Sequence, residues 1–394
     1  MGGLVVQNSS VEVSAAVPSS LHTARTPAVL LDRQRVKNNA ERMLEHARRH
    51  GVLLRPHMKT LKSIDVARMA LDQRHGGIAV STLNEAAYFA RHGIQDIQLA
   101  VCQTPSKLTS IAEVASRCAN LSFFIDSLEM AEALNGFAQS TGAQLNVWIE
   151  VDSGGHRTGV VPDDPVLVSM ATALGPQVRL CGVATHAGQS YANQSAEALA
   201  EIAETERKEV VRAAERLRAA GFSVPGISAG STPSVAHSRS AEGLTEWRPG
   251  VYLAGDLFQA ALGVLRVEDI AVSVLATVIS HQRARGEMIV DAGSLALSLD
   301  RSTYGLGGDD AGYGLVTDLL GRPVYGNLYV AAVYQEHGKL CGISDALFAA
   351  LPVGSRIRIL PNHGCMTAAM YNQYLVTEGG EEIVACWPRT NGWS

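Results

Sequence analysis

The chain has 394 residues, a length that suggests two or three domains, and 46% of them are hydrophobic, ample for sizeable cores. A formal net charge of −5 with no long run of like charge lacks the basic footprint of a nucleic-acid partner. No apolar segment reaches the roughly 18 residues of a membrane span, no basic stretch leads into an apolar one at the N-terminus, and the six cysteines show no Cys-x-x-Cys pair, so a cytoplasmic protein without disulfides is expected.

Residues 1–25 carry little periodic pattern and read as an N-terminal arm. Thr26 to Asp32 reads as a strand, and Arg35 to His50 as an amphipathic helix with Val36, Met43 and Leu44 on its apolar face and Gly51 as its stop. From there one unit recurs: a short apolar run, polar or glycine-rich residues, then a helix-period segment. The eight runs are Val52–Leu54, Gly77–Val80, Ile97–Val101, Leu121–Ile125, Leu145–Val151, Val178–Thr185, Val224–Ala229 and Val251–Ala254. The clearest helices between them are Leu83–His92, Ser106–Cys118, Ser127–Gly142 and Gln194–Ala220. Parallel strands covered on both faces are continuously apolar, so eight such alternations over ~220 residues predict an α/β fold, a TIM-type (β/α)8 barrel over 26–263. Beyond it the pattern changes to β-branched or alternating runs separated by turns, at Ile270–Ile279, Glu287–Asp291, Asn327–Gln335, Arg356–Leu360 and Gln373–Val376. An all-β domain is expected over 264–394, with no long linker before it.

Chemistry in such a barrel collects at the C-terminal ends of the strands. Lys59 follows the first run in Arg55-Pro56-His57-Met58-Lys59-Thr60, where it is either a solvated cation or an amine placed to form a Schiff base with a carbonyl cofactor. Arg157, in Asp152-Ser153-Gly154-Gly155-His156-Arg157-Thr158-Gly159, is an exposed loop cation or a carboxylate or ring partner. His186, after the sixth run, is a core histidine or a site residue. Gly230-Ser231-Thr232 offers a glycine for close approach, two hydroxyls and a helix starting near Ser234, which makes it a helix cap or a phosphate loop. Asp256 closes the eighth run. In Pro361-Asn362-His363-Gly364-Cys365 an extended chain would point His363 and Cys365 the same way, onto one metal. Nitrogen and sulfur favour zinc, with manganese, cobalt or magnesium as alternatives, and two ligands leave positions open for water or substrate.

Arg-Pro-His-x-Lys-Thr after a strand resembles the lysine motif of the D-serine dehydratase, D-threo-3-hydroxyaspartate dehydratase and D-threonine aldolase family, pyridoxal-phosphate enzymes of the alanine-racemase-like fold. The likeness extends from about Thr26 to the end of the chain, with one departure: many members carry a histidine where this chain has Leu61. The resemblance implies pyridoxal 5'-phosphate held by Lys59, with His57, Arg157, His186, Gly230, Ser231, Thr232, Tyr252 and Asp256 around it and Tyr191 near its pyridine nitrogen. It implies a divalent metal on His363 and Cys365, a small D-amino acid substrate and a homodimer. The dehydratase branch carries His-x-Cys and the aldolase branch His-x-Asp, so Cys365 points to dehydration of a D-3-hydroxy-amino acid to a 2-oxo acid and ammonia. The alternatives are an aldolase releasing glycine and an aldehyde and, from another class, a non-catalytic pyridoxal-phosphate carrier, which would lack the second domain and the His363/Cys365 pair.

Overall fold

The computed structural model describes residues 18–193, 195–304, 306 and 310–393. Most of the expected N-terminal arm, residues 1–17, and Gln194, the expected first residue of the longest helix, lie outside them. The first strand, β1 (Ala28–Asp32), leads into α1 (Arg33–Arg49), whose N-cap Asp32 accepts a hydrogen bond from the Arg35 amide. Eight parallel strands follow: β2 (Leu53–Leu54), β3 (Gly77–Val80), β4 (Asp96–Cys102), β5 (Asn120–Ile125), β6 (Leu145–Glu150), β7 (Val178–Ala184), β8 (Gly226–Ala229) and β9 (Glu246–Trp247). Their spatial order runs from β2 through β9 and back down to β3, and a parallel bridge between His57 and Ala79 joins the two ends, so the sheet closes on itself. The helices between and after the strands are α2 (Ile64–Ala70), α3 (Leu83–Arg91), α4 (Leu108–Ala115), α5 (Leu128–Thr141), α6 (Val166–Ala173), α7 (Ala196–Ala219), α8 (Thr232–Ala236) and α9 (Leu257–Ala261).

The barrel matches the sequence expectation except at its last strand. The apolar run Val251–Ala254 is a short 3₁₀ turn at Val251–Leu253, and the eighth strand is β9, five residues upstream of that run. It escapes an apolar search because one of its two residues is Glu246, whose carboxylate is satisfied inside the barrel by Arg55 Nε at 2.9 Å and the Ser228 hydroxyl at 2.7 Å.

The second domain holds β10 (Val272–Gln282), β11 (Glu287–Val290), β12 (Gly314–Thr317), β13 (Val330–Val333), β14 (Gly338–Cys341), β15 (Arg356–Pro361), β16 (Gln373–Thr377) and β17 (Ala385–Pro388). Three short helices, α10 (Ser294–Leu297), α11 (Asp345–Ala350) and α12 (Gly364–Ala369), lie between these strands. β1 belongs to this sheet: it pairs antiparallel with β10 and parallel with β16, although chain order sets it at the head of the barrel. From β1 the chain therefore leaves the second sheet, builds the barrel and returns, which fixes the two bodies together at β1. Val29 and Leu31 accordingly pack in the barrel's core cluster, and Leu30, on the opposite face of the strand, packs with Leu275 and Leu375. Among the described residues no helix is long and apolar enough to cross a membrane.

Candidate active site

The strand ends of the barrel and one turn of the second domain enclose a cavity of about 390 Å³. Nine of the twelve residues singled out in the sequence line it: His57, Lys59, Arg157, His186, Tyr191, Ser231 and Thr232 from the barrel, and His363 and Cys365 from the second domain. A further lobe of about 360 Å³, reaching Cys102 and Glu150, shares His57, Lys59, Arg157 and His186 with it.

The other three do not line the cavity. Gly230 lies behind the loop at φ +113°, where a Cβ would meet Val235 Cγ2 at 2.5 Å, and its amide donates to Glu206 at 3.1 Å. Tyr252 sits in the 3₁₀ turn and borders a separate hollow of about 160 Å³ beside Met43 and His46 of α1, its hydroxyl buried without a partner. Asp256 caps α9 through the Gln259 amide at 2.7 Å and accepts the Gly364 amide at 2.8 Å. It holds the His363–Cys365 turn rather than the cavity wall.

That turn is not extended throughout. His363 has extended backbone angles, but Gly364 begins α12, so Cys365 is the second residue of a helix. The two side chains meet the same cavity because the chain turns between them, not because of strand alternation. His363 Nδ1 lies 2.7 Å from Asp300 Oδ2, which leaves Nε2 for a metal, and Thr60 Oγ1 lies 3.1 Å from Cys365 Sγ. Among the described residues no group of three or more His, Cys, Asp and Glu side chains is placed to hold a metal ion. A metal here would have two protein ligands and open positions.

The Gly230–Thr232 loop is partly self-satisfied. Ser231 is the N-cap of α8 in a capping box with Ser234, and its hydroxyl also lies 2.8 Å from that of Ser190. Thr232 Oγ1 accepts the Gly250 amide at 3.2 Å, which leaves the threonine proton free to donate into the cavity. Tyr191 lies at this end, its phenol facing the Thr232 amide, and stacks on Phe258 at 6.0 Å between ring centroids.

Burial sets the protonation of the cavity wall. It is the first cause that drives His57 and His186 well below the usual histidine pKa, with the Lys59 charge adding to it, so both are neutral imidazoles. Burial also raises the Tyr191 phenol, which stays protonated. The Lys59 ammonium is pulled down by the surrounding protein and by Arg157, against the opposing effect of Cys365. His363 runs the other way. Burial opposes its charge, but Cys365, Asp256 and Asp300 outweigh it and bring the imidazole up to about 10. A metal on His363 would have to displace that proton, so its binding would strengthen as pH rises.

Sequence reasoning passed over two groups of this site. Arg248, 4% exposed, follows β9 and lines both lobes, with Nε donating to Ser228 Oγ at 2.6 Å and a second nitrogen to the Thr185 carbonyl at 2.6 Å. Misplacing the last strand hid it; the Arg-Pro-Gly that follows β9 was the available signal. Asp300 is 63 residues from His363, and no spacing points to it.

Residues 31–257 match the alanine racemase N-terminal domain family and residues 271–377 the serine dehydratase domain family. The D-threo-3-hydroxyaspartate dehydratase of Delftia sp. is 44% identical over 382 residues, which span 95% of this chain and 99% of that one. The chain belongs to this family of D-hydroxyamino-acid lyases. The D-serine dehydratase of Dictyostelium discoideum, another member, is 31% identical over 399 residues, 95% of this chain and 98% of its own. The solved structure of the Delftia enzyme superposes with a TM-score of 0.91 at 42% identity, covering 95% of this chain and all of that one. Further solved forms of that enzyme have a histidine replaced by alanine and, in a metal-free form, the cysteine two positions later replaced by alanine. The barrel and second sheet of this chain are thus the fold of the Delftia enzyme.

Proposed function

We propose that the protein dehydrates a D-3-hydroxy-amino acid (D-threo-3-hydroxyaspartate, D-serine or D-threonine) to a 2-oxo acid and ammonia, using pyridoxal 5'-phosphate on Lys59 and a divalent metal, zinc first, on His363 and Cys365. The observation that carries this reading is the meeting of Lys59 with the His363/Cys365 pair in one cavity. The His-x-Cys spacing agrees with the histidine and cysteine replaced in the Delftia enzyme, the latter in a metal-free form.

The bound cofactor would supply an electrophilic carbonyl and a sink for the electrons of the substrate α-carbon, and the metal a Lewis acid for the β-hydroxyl. The protein's groups have the matching roles. Lys59, its ammonium pulled down by burial, is suited to take the α-proton once its amine is free. The free Thr232 proton and the amides near it suit a phosphate. Neutral His57 and His186 add no charge beside the ring, and the Tyr191 phenol can donate or accept a hydrogen bond without carrying a proton away. Asp300 fixes the ring of His363 and Asp256 the backbone of its turn. Gly230, Tyr252 and Asp256 support the cofactor loops from behind rather than touching it.

We place the enzyme in the cytoplasm as a homodimer. Leu295, Leu299, Tyr304, Tyr334, Met366 and Met370 are large, apolar and exposed near the α10 and α12 side of the second domain, and a second copy of the chain suits that face. The domain limits 1–25, 26–263 and 264–394 belong to the same proposal, with β1 as the strand they share.

One assay separates the lyase readings. Incubation with each of the three substrates should give 2-oxo acid and ammonia. Glycine with an aldehyde would identify an aldolase, and no product with any of them would leave the chain a carrier.

A further inference from the structure

One contact between the cavity's two halves reaches the sulfur itself, Thr60 Oγ1 to Cys365 Sγ at 3.1 Å, and Thr60 is the residue next to Lys59. What holds that contact comes from the far end of the chain. Arg389, one residue past β17, is 7% exposed, and its guanidinium donates to carbonyls of two separate segments. On the barrel side these are Leu61 at 3.4 Å and Thr60 at 3.3 Å; on the α12 side they are Ala368 and, at 3.1 Å, Tyr371. The neighbouring residues repeat the stitch. Thr390 donates its amide to the Lys62 carbonyl at 3.0 Å, and the Tyr374 hydroxyl donates to the Leu61 carbonyl at 2.8 Å. A buried guanidinium is tolerated only when its protons are taken up, and a planar fork reaches carbonyls on two segments where an ammonium on a flexible stem does not.

We propose that Thr60 and Arg389 are positioning residues of the metal centre: Arg389 sets the turn after Lys59 against α12, so that the Thr60 hydroxyl donates to the Cys365 sulfur. The inference rests on the reading of His363 and Cys365 as metal ligands. A thiolate ligand has lone pairs beyond the one given to the metal, and a hydroxyl donated to one of them fixes the sulfur's direction and tunes its basicity. The arrangement ties the ligand to the residue beside the cofactor lysine, so the metal and the cofactor are held at a fixed separation.

The test uses the full chain with pyridoxal phosphate bound and Co²⁺ as the probe, because cobalt on a thiolate has a near-ultraviolet charge-transfer band. Wild type should show this band. Thr60→Val should move it to longer wavelength, since an unbonded thiolate gives up its electron more readily, and should weaken Co²⁺ binding by about 10- to 100-fold. Thr60→Ser should restore both. Arg389→Lys should reproduce the shift of Thr60→Val, and the double variant should add nothing, because one residue acts through the other. In each, the visible band of the cofactor on Lys59 should persist. The proposal is overturned if Arg389→Lys leaves the cobalt band in place, if the two effects add, or if Arg389→Lys loses cofactor and metal together as a merely loosened fold would. Should Arg389→Lys not fold, failure of Thr60→Ser to restore the band sinks the role of the hydroxyl. A wild type with no cobalt–thiolate band removes the metal reading itself, a different outcome from any of these.

Discussion

The two halves of the cavity are built on opposite principles. The barrel half carries Lys59, His186, Ser231 and Thr232 just past the ends of parallel strands, each paired on both sides within a closed sheet, so backbone pairing does most to place them. The other half carries His363 and Cys365 on a turn between β15 and the six-residue α12, and side chains from elsewhere place it: Asp300 on the imidazole, Asp256 on the Gly364 amide, Thr60 on the sulfur. One half draws mainly on backbone pairing and the other mainly on side chains. The cofactor half should therefore survive damage to the metal half, and experiments that break this asymmetry test the reading of the whole site.

The largest effect is expected at Lys59. Lys59→Ala should abolish both the visible absorption of the bound cofactor and all turnover, because in the proposed function the group that anchors the cofactor is also the base. Borohydride trapping followed by peptide mapping checks this; a label on another lysine would be decisive against it. Metal removal should separate the halves. Chelated wild type and Cys365→Ala should retain the cofactor spectrum but form no 2-oxo acid, and Zn²⁺ or Mn²⁺ should restore only the wild type, since a lone imidazole is a weak site for a divalent ion. Metal-free protein that still dehydrates at the original rate would end the Lewis-acid role.

The proposed phosphate loop should respond less strongly, and its two hydroxyls differently. Thr232→Val removes a charge-assisted donor worth on the order of 1.5 to 3 kcal/mol, so cofactor affinity should fall about tenfold or more with little change in melting temperature. Ser231→Ala should also cost stability, about 1 kcal/mol, because that hydroxyl caps α8. Titration with pyridoxal phosphate alongside thermal melts checks both. Equal cofactor affinity in wild type and the double variant would return the loop to a helix cap.

How much of this was legible follows from the same asymmetry. Seven of the eight barrel strands could be read because burial on both faces makes them continuous apolar runs, and a motif residue beside a strand end locates Lys59 directly. β9 could not, since its Glu246 is paired inside the barrel, and Arg248 was lost with it. The sequence marks Asp256 and Tyr252 as near the mouth but not which way they point: one caps a helix and the other turns towards α1. β1 reads as a strand, yet nothing local says that its partners, β10 and β16, lie more than 200 residues on. The metal half was legible only as His-x-Cys. The groups that place it come from Thr60, Asp256 and Asp300, which have no sequence relation to the motif.

The smallest effect on the site should come from the end of the barrel away from the cavity, where the comparison predicts that stability changes and chemistry does not. Asp96 opens β4 and lies 2.9 Å from Arg55, which is itself 2.9 Å from Glu246. Burial would raise the Asp96 carboxyl, but His75 and Arg55 outweigh it and lower it from 3.8 to about 2. A depressed folded-state value means that the stabilisation is complete above the unfolded pKa near 4 and is lost as pH falls from there through about 2. The shift corresponds to about 2 kcal/mol at neutral pH. Asp96→Asn should therefore lower the unfolding free energy at pH 7 by about that amount, and the gap between variant and wild type should close as pH falls from about 4 towards 2. Urea titrations across that range measure it. Cofactor and metal affinities should match the wild type at pH 7; if either falls with Asp96→Asn, the two ends of the barrel are coupled.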